Sequence, residues 1–300
     1  MRLMTRVLVG LSFMAVVCSC WSMFDLSVTQ AKLSATPIAI FGFSNESASA
    51  GVKSNLSQVV ASDLSHSGDF HVTYPAPEGA PGPLSQATLQ HWRQQRVNYL
   101  VNGNVTDVGG GRYRVSFKLF DVWAKPSAGS STSSNTILSQ SFVSTLAGMR
   151  LTAHRISDAI FQKLTGVRGI FATKIAYITV QNLATPQVSY QLNIADQDGY
   201  NEQMLLKSAE PIMSPAWSPD GAKIAYVSFE GKHAAIYIQD IATGKRRVVS
   251  DYPGINGSPS FSPDGKRLAL VLSKTGHSDI YIMDIKTEAL QQITKGYSIN

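Results

Sequence analysis

The side chains that most often do chemistry in enzymes show no catalytic spacing in this chain. A zinc-peptidase motif needs two histidines at i and i+4 with a glutamate after the first, and the Gly-x-Ser-x-Gly turn marks a hydrolase serine. Neither pattern occurs in the 300 residues. The six histidines are His66, His71, His91, His154, His233 and His277. The sequence therefore predicts no catalytic residue and no metal ligand.

The glycine run and the two cysteines add no further chemistry. A phosphate-binding loop needs Gly-Lys-Ser/Thr leading into a helix, whereas Gly109-Gly110-Gly111 leads through Arg112 into a strand-like run. This triplet suits a hairpin loop instead. Cys18 and Cys20 are both close to the N-terminus and cannot form a disulfide framework. No cofactor is predicted.

The N-terminus has the pattern of an export signal. Arg2 and Arg6 precede an apolar run from Val7 to Val17, which is too short for a bilayer span of about 20 residues. Residues 1–20 are therefore predicted to be a signal peptide, followed by a mature N-terminal segment at 21–35. The predicted cleavage region comprises Ser19, Cys20 and Trp21. Lipidation of Cys20 remains an alternative that the intact mass of the mature protein would decide.

Composition and charge exclude several classes of protein. The hydrophobic fraction of 44% is enough to build a core. The charged fraction of 15% is below the roughly 25% of an average soluble protein, whereas a disordered chain has low hydrophobicity and high net charge. The formal charge is +6, and without the two arginines of the signal region it falls to +4. This mild excess gives no reason to propose nucleic acid as a partner.

The first half of the mature chain alternates strands with helices. A buried strand is predicted from Thr36, and the first of three helices is predicted to run through Val52 to Leu64. The other predicted helices cover residues 84–97 and 151–164, and the other strands cover 70–74, 99–101, 105–108, 113–122 and 136–144. Residues 36–168 are therefore predicted to form an α/β (α+β) domain.

The second half repeats itself every 44 residues. The run Ser214 to Gly221 recurs at Ser258 to Gly265, and Ile236-Tyr237-Ile238 recurs at Ile280-Tyr281-Ile282. Each copy contains four strand-like runs separated by turn residues. Four strands in about 44 residues are typical of a propeller blade. Residues 169–300 are therefore predicted to be β-propeller blades.

The strands of these blades are predicted to be buried on both faces. Ile224 and Tyr226 face one side of their strand, while Ala225 and Val227 face the other. A propeller closes with about 4–8 blades, and the repeat predicts that the next first strand would begin at about residue 302. We therefore expect an incomplete propeller, from a fragment or a truncated gene product.

Several runs also carry a family resemblance. Gly199-Tyr200-Asn201-Glu202-Gln203, Pro211 to Gly221 and Asn256-Gly257-Ser258-Pro259 resemble the TolB family of the Tol–Pal cell-envelope system. The junction Phe161 to Gly169 and the run Thr173 to Tyr177 match the same pattern. The resemblance is strong over residues 150–300 and holds in outline over 36–150.

The resemblance implies a fold, a location and partners. It implies a Gram-negative periplasmic protein with an N-terminal α/β domain and a six-bladed propeller. Its partners would be a Pal-type peptidoglycan-associated lipoprotein at the open end of the propeller and TolA at the mature N-terminal segment. Other outer-membrane proteins are further candidates, with no small-molecule substrate. Such a scaffold maintains the outer membrane and supports constriction at division.

The predicted partner surface precedes the first strand of each blade. The candidate contact residues are Met213, Ser214, Asn256, Gly257 and Ser258. In the family the loop before Asn256 often carries basic or imidazole side chains, and this chain has Gly254-Ile255 there instead.

Two other hypotheses remain open from the sequence. One is the propeller domain of an exported peptidase or lyase whose catalytic part lies beyond residue 300. The other is a lipid-anchored envelope protein with an unrelated role.

Overall fold

The computed structural model describes residues 35–45, 56–76, 85–124, 135–183 and 185–295. The predicted signal peptide, its cleavage region and the segment before residue 35 lie outside these residues. The described residues from Ala35 onward cluster as one compact unit. No helix of the described part is long and apolar enough to cross a bilayer.

The N-terminal half is a sheet with helices on both faces. Its elements are β1 (Thr36–Ile40), β2 (Ser44–Asn45), α1 (Leu56–His66), β3 (Phe70–Thr73), α2 (Gln86–Gln94), β4 (Tyr99–Gly109), β5 (Arg112–Asp121), β6 (Thr136–Thr145) and α3 (Met149–Thr165). The strand order is β3-β1-β4-β5-β6, with β2 paired to β4. β1 is parallel to β3 and β4, whereas β4, β5 and β6 form an antiparallel meander.

Two apolar layers hold this domain together. On the inner face of the sheet, α1 and α3 pack against side chains such as Val115 and Phe117. On the outer face, Leu89 and Trp92 of α2 pack against Leu100 and the neighbouring Phe120. The helix–sheet–helix arrangement confirms the predicted α/β class.

The glycine hairpin is confirmed, but the predicted break before it is wrong. Gly109 at the end of β4 and Gly110 and Gly111 in the turn all have positive φ, which glycine adopts without strain. The strands predicted at 99–101 and 105–108 are one continuous strand, β4. The strand is continuous because residues 102–104 pair with β5 without interruption. Gly103 in this stretch leaves room for the ring of Phe43 to lie against the strand.

The second half forms three antiparallel sheets in chain order. They are β7 (Lys174–Gln181), β8 (Ser189–Asp196) and β9 (Gln203–Ser208); then β10 (Ile212–Trp217), β11 (Lys223–Ser228), β12 (Ala235–Asp240) and β13 (Arg246–Ser250); then β14 (Asn256–Phe261), β15 (Arg267–Leu272), β16 (Asp279–Asp284) and β17 (Leu290–Gln292). In each sheet consecutive strands are neighbours, as in propeller blades. The predicted class, an α/β domain followed by propeller blades, is confirmed. The boundary drawn at residue 168 stays a prediction.

The sheets stack through both faces of the middle one. Ile224 and Tyr226 pack in a cluster with Leu192 of the first sheet. On the other face, Ala225 and Val227 pack in a cluster with residues of the third sheet. Trp217 is partly buried and packs against the first of these clusters.

We expect Gly103→Ala to destabilise the N-terminal domain. A Cβ at this position would lie 2.7 Å from a ring carbon of Phe43, and overpacking of this kind typically costs about 1–3 kcal/mol. Urea unfolding measures the change. Gly42→Ala is the matched control, because a Cβ there would meet no atom within 4 Å. Equal stability of both variants would contradict the proposed close approach.

Candidate functional site

The predicted partner residues lie inside β10 and β14 and not before these strands, so that part of the prediction is wrong. They lie at or next to the same irregularity in the two sheets. The pairing of β10 with β11 shifts register between Met213 and Ala216, and that of β14 with β15 shifts between Gly257 and Ser260. Ser214 and Ser258 have φ of 52° and 48°, a conformation that non-glycine residues seldom adopt. The bulge therefore recurs every 44 residues, and at the first copy it leaves Met213 43% exposed.

Asn256 differs from the other predicted contact residues, because its side chain is buried. Only 1% of the residue is exposed. Its amide oxygen accepts bonds from Ser250 Oγ at 2.6 Å and from Tyr252 N at 3.0 Å. Its amide nitrogen donates to the carbonyl oxygens of Tyr252 at 2.6 Å and Gly254 at 3.4 Å. Asn256 therefore shapes the loop between β13 and β14 from inside.

We expect Asn256→Ala to lower stability by about 2–3 kcal/mol, because the change leaves buried hydrogen-bonding groups unsatisfied. The measurement is the free energy of unfolding in urea. Met213→Ala is the control at the same edge; its exposed side chain makes us expect a change within about 0.5 kcal/mol. An unchanged stability of Asn256→Ala would refute the internal role.

The loop shaped by Asn256 carries an exposed surface next to that bulge. Ile255 is 52% exposed. Asp251 contacts His233 of the preceding turn and raises the pKa of that imidazole through this hydrogen bond. Lys274 lies over the ring of Tyr252 at 4.5 Å. This end of the sheets thus carries both exposed apolar side chains and charged groups. We call Met213, Ile255 and these flanking residues the rim site.

A cleft of ≈ 570 Å³ lies between the second and third sheets, at the end opposite to the rim site. Apolar and charged side chains line it together, including Pro219, Ile238, Phe261, Lys245, Arg247 and Ile285. Arg247 donates to Glu288 and to the carbonyl oxygen of Ile285, at 2.7 Å each. This cation is therefore already committed to an ion pair.

The carboxylates beside the cleft stabilise its turns. Asp220 accepts bonds from Ser218 Oγ at 2.6 Å and Ala222 N at 3.0 Å. Asp264 accepts the equivalent bonds from Ser262 Oγ and from the backbone nitrogen of Lys266. The serine hydroxyls, followed by the backbone amides, lower the pKa of both carboxyls. The prediction that these residues form turns is confirmed.

These lowered pKa values predict a loss of stability in acid. Because folding depresses them, the stabilisation is present above the unfolded pKa of about 3.9 and is lost as pH falls through the folded pKa. We expect the urea concentration at the unfolding midpoint to decrease when the pH is lowered below about 4. The decrease should be smaller in the double variant Asp220→Asn, Asp264→Asn. Asp69→Asn is the control. Parallel pH profiles for all three proteins would count against this assignment.

A third group of polar side chains lies where α3 meets the first propeller sheet. His154 Nδ1 lies 2.8 Å from Asp63 Oδ2, and both residues are buried. His154 Nε2 lies 3.8 Å from Asp198 Oδ2 in the turn after β8. Arg150, one helical turn before His154, contacts Asp198 and lies over the ring of Tyr200 at 3.9 Å.

Three of these residues are close enough to be considered as metal ligands. Asp198, however, already has the guanidinium of Arg150 as its counter-charge, and Asp63 is engaged by the imidazole. The group is therefore best described as a polar network, with the Arg150–Asp198 ion pair and the His154–Asp63 hydrogen bond, that joins α1, α3 and the turn after β8. Sequence reasoning missed it, because Asp63 and His154 are 91 residues apart. The only sequence signal was the spacing of Arg150 and His154 on one helix face.

The same helix also anchors the connection into the propeller. Asp158 accepts hydrogen bonds from the backbone nitrogens of Phe171 at 2.8 Å and Ala172 at 3.2 Å. Gly169 lies directly against Asp158, so that a Cβ there would clash with it. This explains the residue type at the end of the junction run.

An α/β domain joined through one helix to propeller sheets defines a class of two-domain protein. Two family descriptions match the chain: TolB amino-terminal domain over residues 24–128 and TolB beta propeller domain over residues 161–300. The chain belongs to the TolB family.

Named relatives agree with this assignment. The chain is 48% identical over 236 residues to the Tol-Pal system protein TolB of Coxiella burnetii, covering 78% of this chain and 52% of that protein. It is 43% identical to the protein of the same name from Xanthomonas oryzae pv. oryzae, covering 78% and 51%. The chain thus spans about half the length of these curated relatives.

A solved structure shares the fold. The crystal structure of TolB from Acinetobacter baumannii aligns with a TM-score of 0.74 at 37% identity. The alignment covers 89% of this chain and 62% of that one. The resemblance inferred from the sequence motifs is therefore confirmed.

Proposed function

We propose that this protein is a periplasmic binding scaffold of the Tol–Pal system. The observation that carries the proposal is that the α/β domain and the propeller sheets both match TolB, in the same order. The export pattern at residues 1–20 supports a periplasmic location. In this role the protein connects a Pal-type outer-membrane lipoprotein with TolA, maintains the outer membrane and supports constriction at division.

The rim site is the proposed contact for the Pal-type lipoprotein. Stable interfaces place apolar anchors at their centre and polar groups around them. Met213 and Ile255 provide exposed apolar side chains at the ends of adjacent sheets. Charged groups at the same end of the sheets are Asp251, which contacts His233, and Lys274. Ser214 and Ser258 hold the bulge, and Gly257 adds no side chain that would block approach.

TolA is proposed to bind elsewhere, at the mature segment 21–35. Leu26 and Val28 alternate with the polar residues Asp25, Ser27 and Thr29, a pattern that suits addition of a strand to a partner's sheet. The segment precedes β1 directly, so a partner bound there is attached to the N-terminal domain.

We propose a role in binding and not in catalysis. In the described residues, the carboxylates of the repeated turns accept structural hydrogen bonds, and the imidazole of His154 is engaged by Asp63. None of these contacts favours the peptidase or lyase hypothesis. The partners of the scaffold are therefore expected to be proteins.

A binding experiment tests the rim site. We expect the full chain to bind the soluble domain of its native Pal-type lipoprotein in calorimetry. Met213→Asp and Ile255→Asp should each weaken the affinity at least tenfold, because each puts a charge in place of an exposed apolar side chain.

The control for this experiment is Met204→Asp. Met204 is also exposed but lies on β9, outside the rim site. Absence of binding by the unchanged protein would overturn the proposed function. Binding that is equally insensitive to all three substitutions would overturn only the location of the contact.

A further inference from the structure

The outermost strand of the N-terminal sheet is unusually well suited to accept another strand. β6 forms one end of the sheet order, and no described strand pairs with its outer edge. Its ten residues pair with β5 over nearly their whole length. None of the ten is charged and none is proline. Proteins usually protect such an edge with charges, prolines or short length, and β6 uses none of these.

A row of cations runs beside this edge on the neighbouring strand. Arg112, Arg114 and Lys118 alternate with the buried residues of β5, so all three project from the outer face of the sheet. All three are exposed. Among the described residues they form no ion pair, whereas Arg150, Arg246 and Arg247 all do. Within the part of the chain that the structure describes, the outer face therefore offers three cations that form no ion pair.

The side chains between this row and the open edge are short. Ser139, Ser141 and Val143 of β6 are paired with Lys118, Ser116 and Arg114 of β5, on the same face. A strand added to β6 would lie two strand spacings from β5, about 10 Å away. Long arginine and lysine side chains can cross the small residues of β6 and approach that distance.

The inner face of the same edge has the opposite character. Leu138 and Phe142 of β6 point toward the core and are only partly buried against it. The ring of Phe142 is stacked on Phe117 at 6.4 Å. Inward-facing side chains of an added strand would extend this apolar layer.

These observations together specify the chemistry of an occupant. We propose that the edge of β6 binds an extended segment of a partner protein that alternates acidic and apolar residues. The backbone of the segment pairs with β6. Its acidic side chains point to the outer face and meet Arg112, Arg114 and Lys118, while its apolar side chains cover Leu138 and Phe142. The binding mode is strand addition, and the row of cations favours segments with acidic residues at alternate positions.

The proposed contact is separate from the rim site. It lies on the α/β domain, whereas the rim site lies at the ends of β10 and β14. It therefore goes beyond the proposed function and can fail or succeed independently of it.

A synthetic peptide probes the edge directly. The probe has four Glu-Val repeats with blocked ends, and one control peptide has lysine in place of each glutamate. A second control has the same composition with the four glutamates consecutive. We expect the full chain to bind the alternating peptide at low salt, at least tenfold more tightly than either control, and to lose affinity as salt increases.

Charge reversal locates the peptide. Arg114→Glu and Lys118→Glu should each weaken binding at least fivefold, whereas Lys207→Glu should leave it unchanged. Lys207 is an equally exposed cation on β9. All three positions are at the surface, so the fold is expected to tolerate the substitutions, and urea unfolding of each variant checks this.

Hydrogen exchange distinguishes strand addition from simple attraction of charge. We expect the peptide to slow amide exchange at alternate residues of β6. Unchanged exchange in β6 would overturn the proposal, as would equal binding of the control peptides or equal binding by Arg114→Glu. Protection of β6 that rises with protein concentration without peptide would also overturn it, because a second copy of this chain would then occupy the edge.

Discussion

Burial of both faces of β11 is the constraint on which the propeller region depends. Tyr226 on one face is fully buried, and its hydroxyl donates to Gln239 at 3.2 Å. Ala225 and Val227 on the other face are equally enclosed. A strand of this kind is stable only between two other sheets, so the middle sheet requires both neighbours. Stacking in turn leaves the loops and turns at the sheet ends as the accessible surfaces.

The two ends of the stacked sheets have different chemical characters. At one end, serine–aspartate turns recur with the same hydrogen bonds, and their carboxylates are committed to the backbone. At the other end, the bulges expose Met213, while Asn256 supports the adjacent loop from beneath. At the first end, the polar side chains therefore stabilise the turns. At the second end, a buried asparagine supports an apolar surface that suits a protein partner.

Helix α3 connects this region with the N-terminal sheet. Its inner residues pack on α1 and the sheet, Asp158 binds the connecting segment, and Arg150 reaches the turn after β8. A single rigid element thus contacts both parts of the molecule.

Local patterns in the sequence determined the 44-residue repeat, its turns, the glycine hairpin, the fold class and the family, because each depends on residues close in the chain. Strand pairing and tertiary packing decided the rest. They made β4 continuous through Gly103, placed Asn256 inside a loop and joined Asp63 to His154 across 91 residues. Burial and pairing of a side chain depend on neighbours that are distant in sequence, and one chain without its fold does not show which neighbours these are.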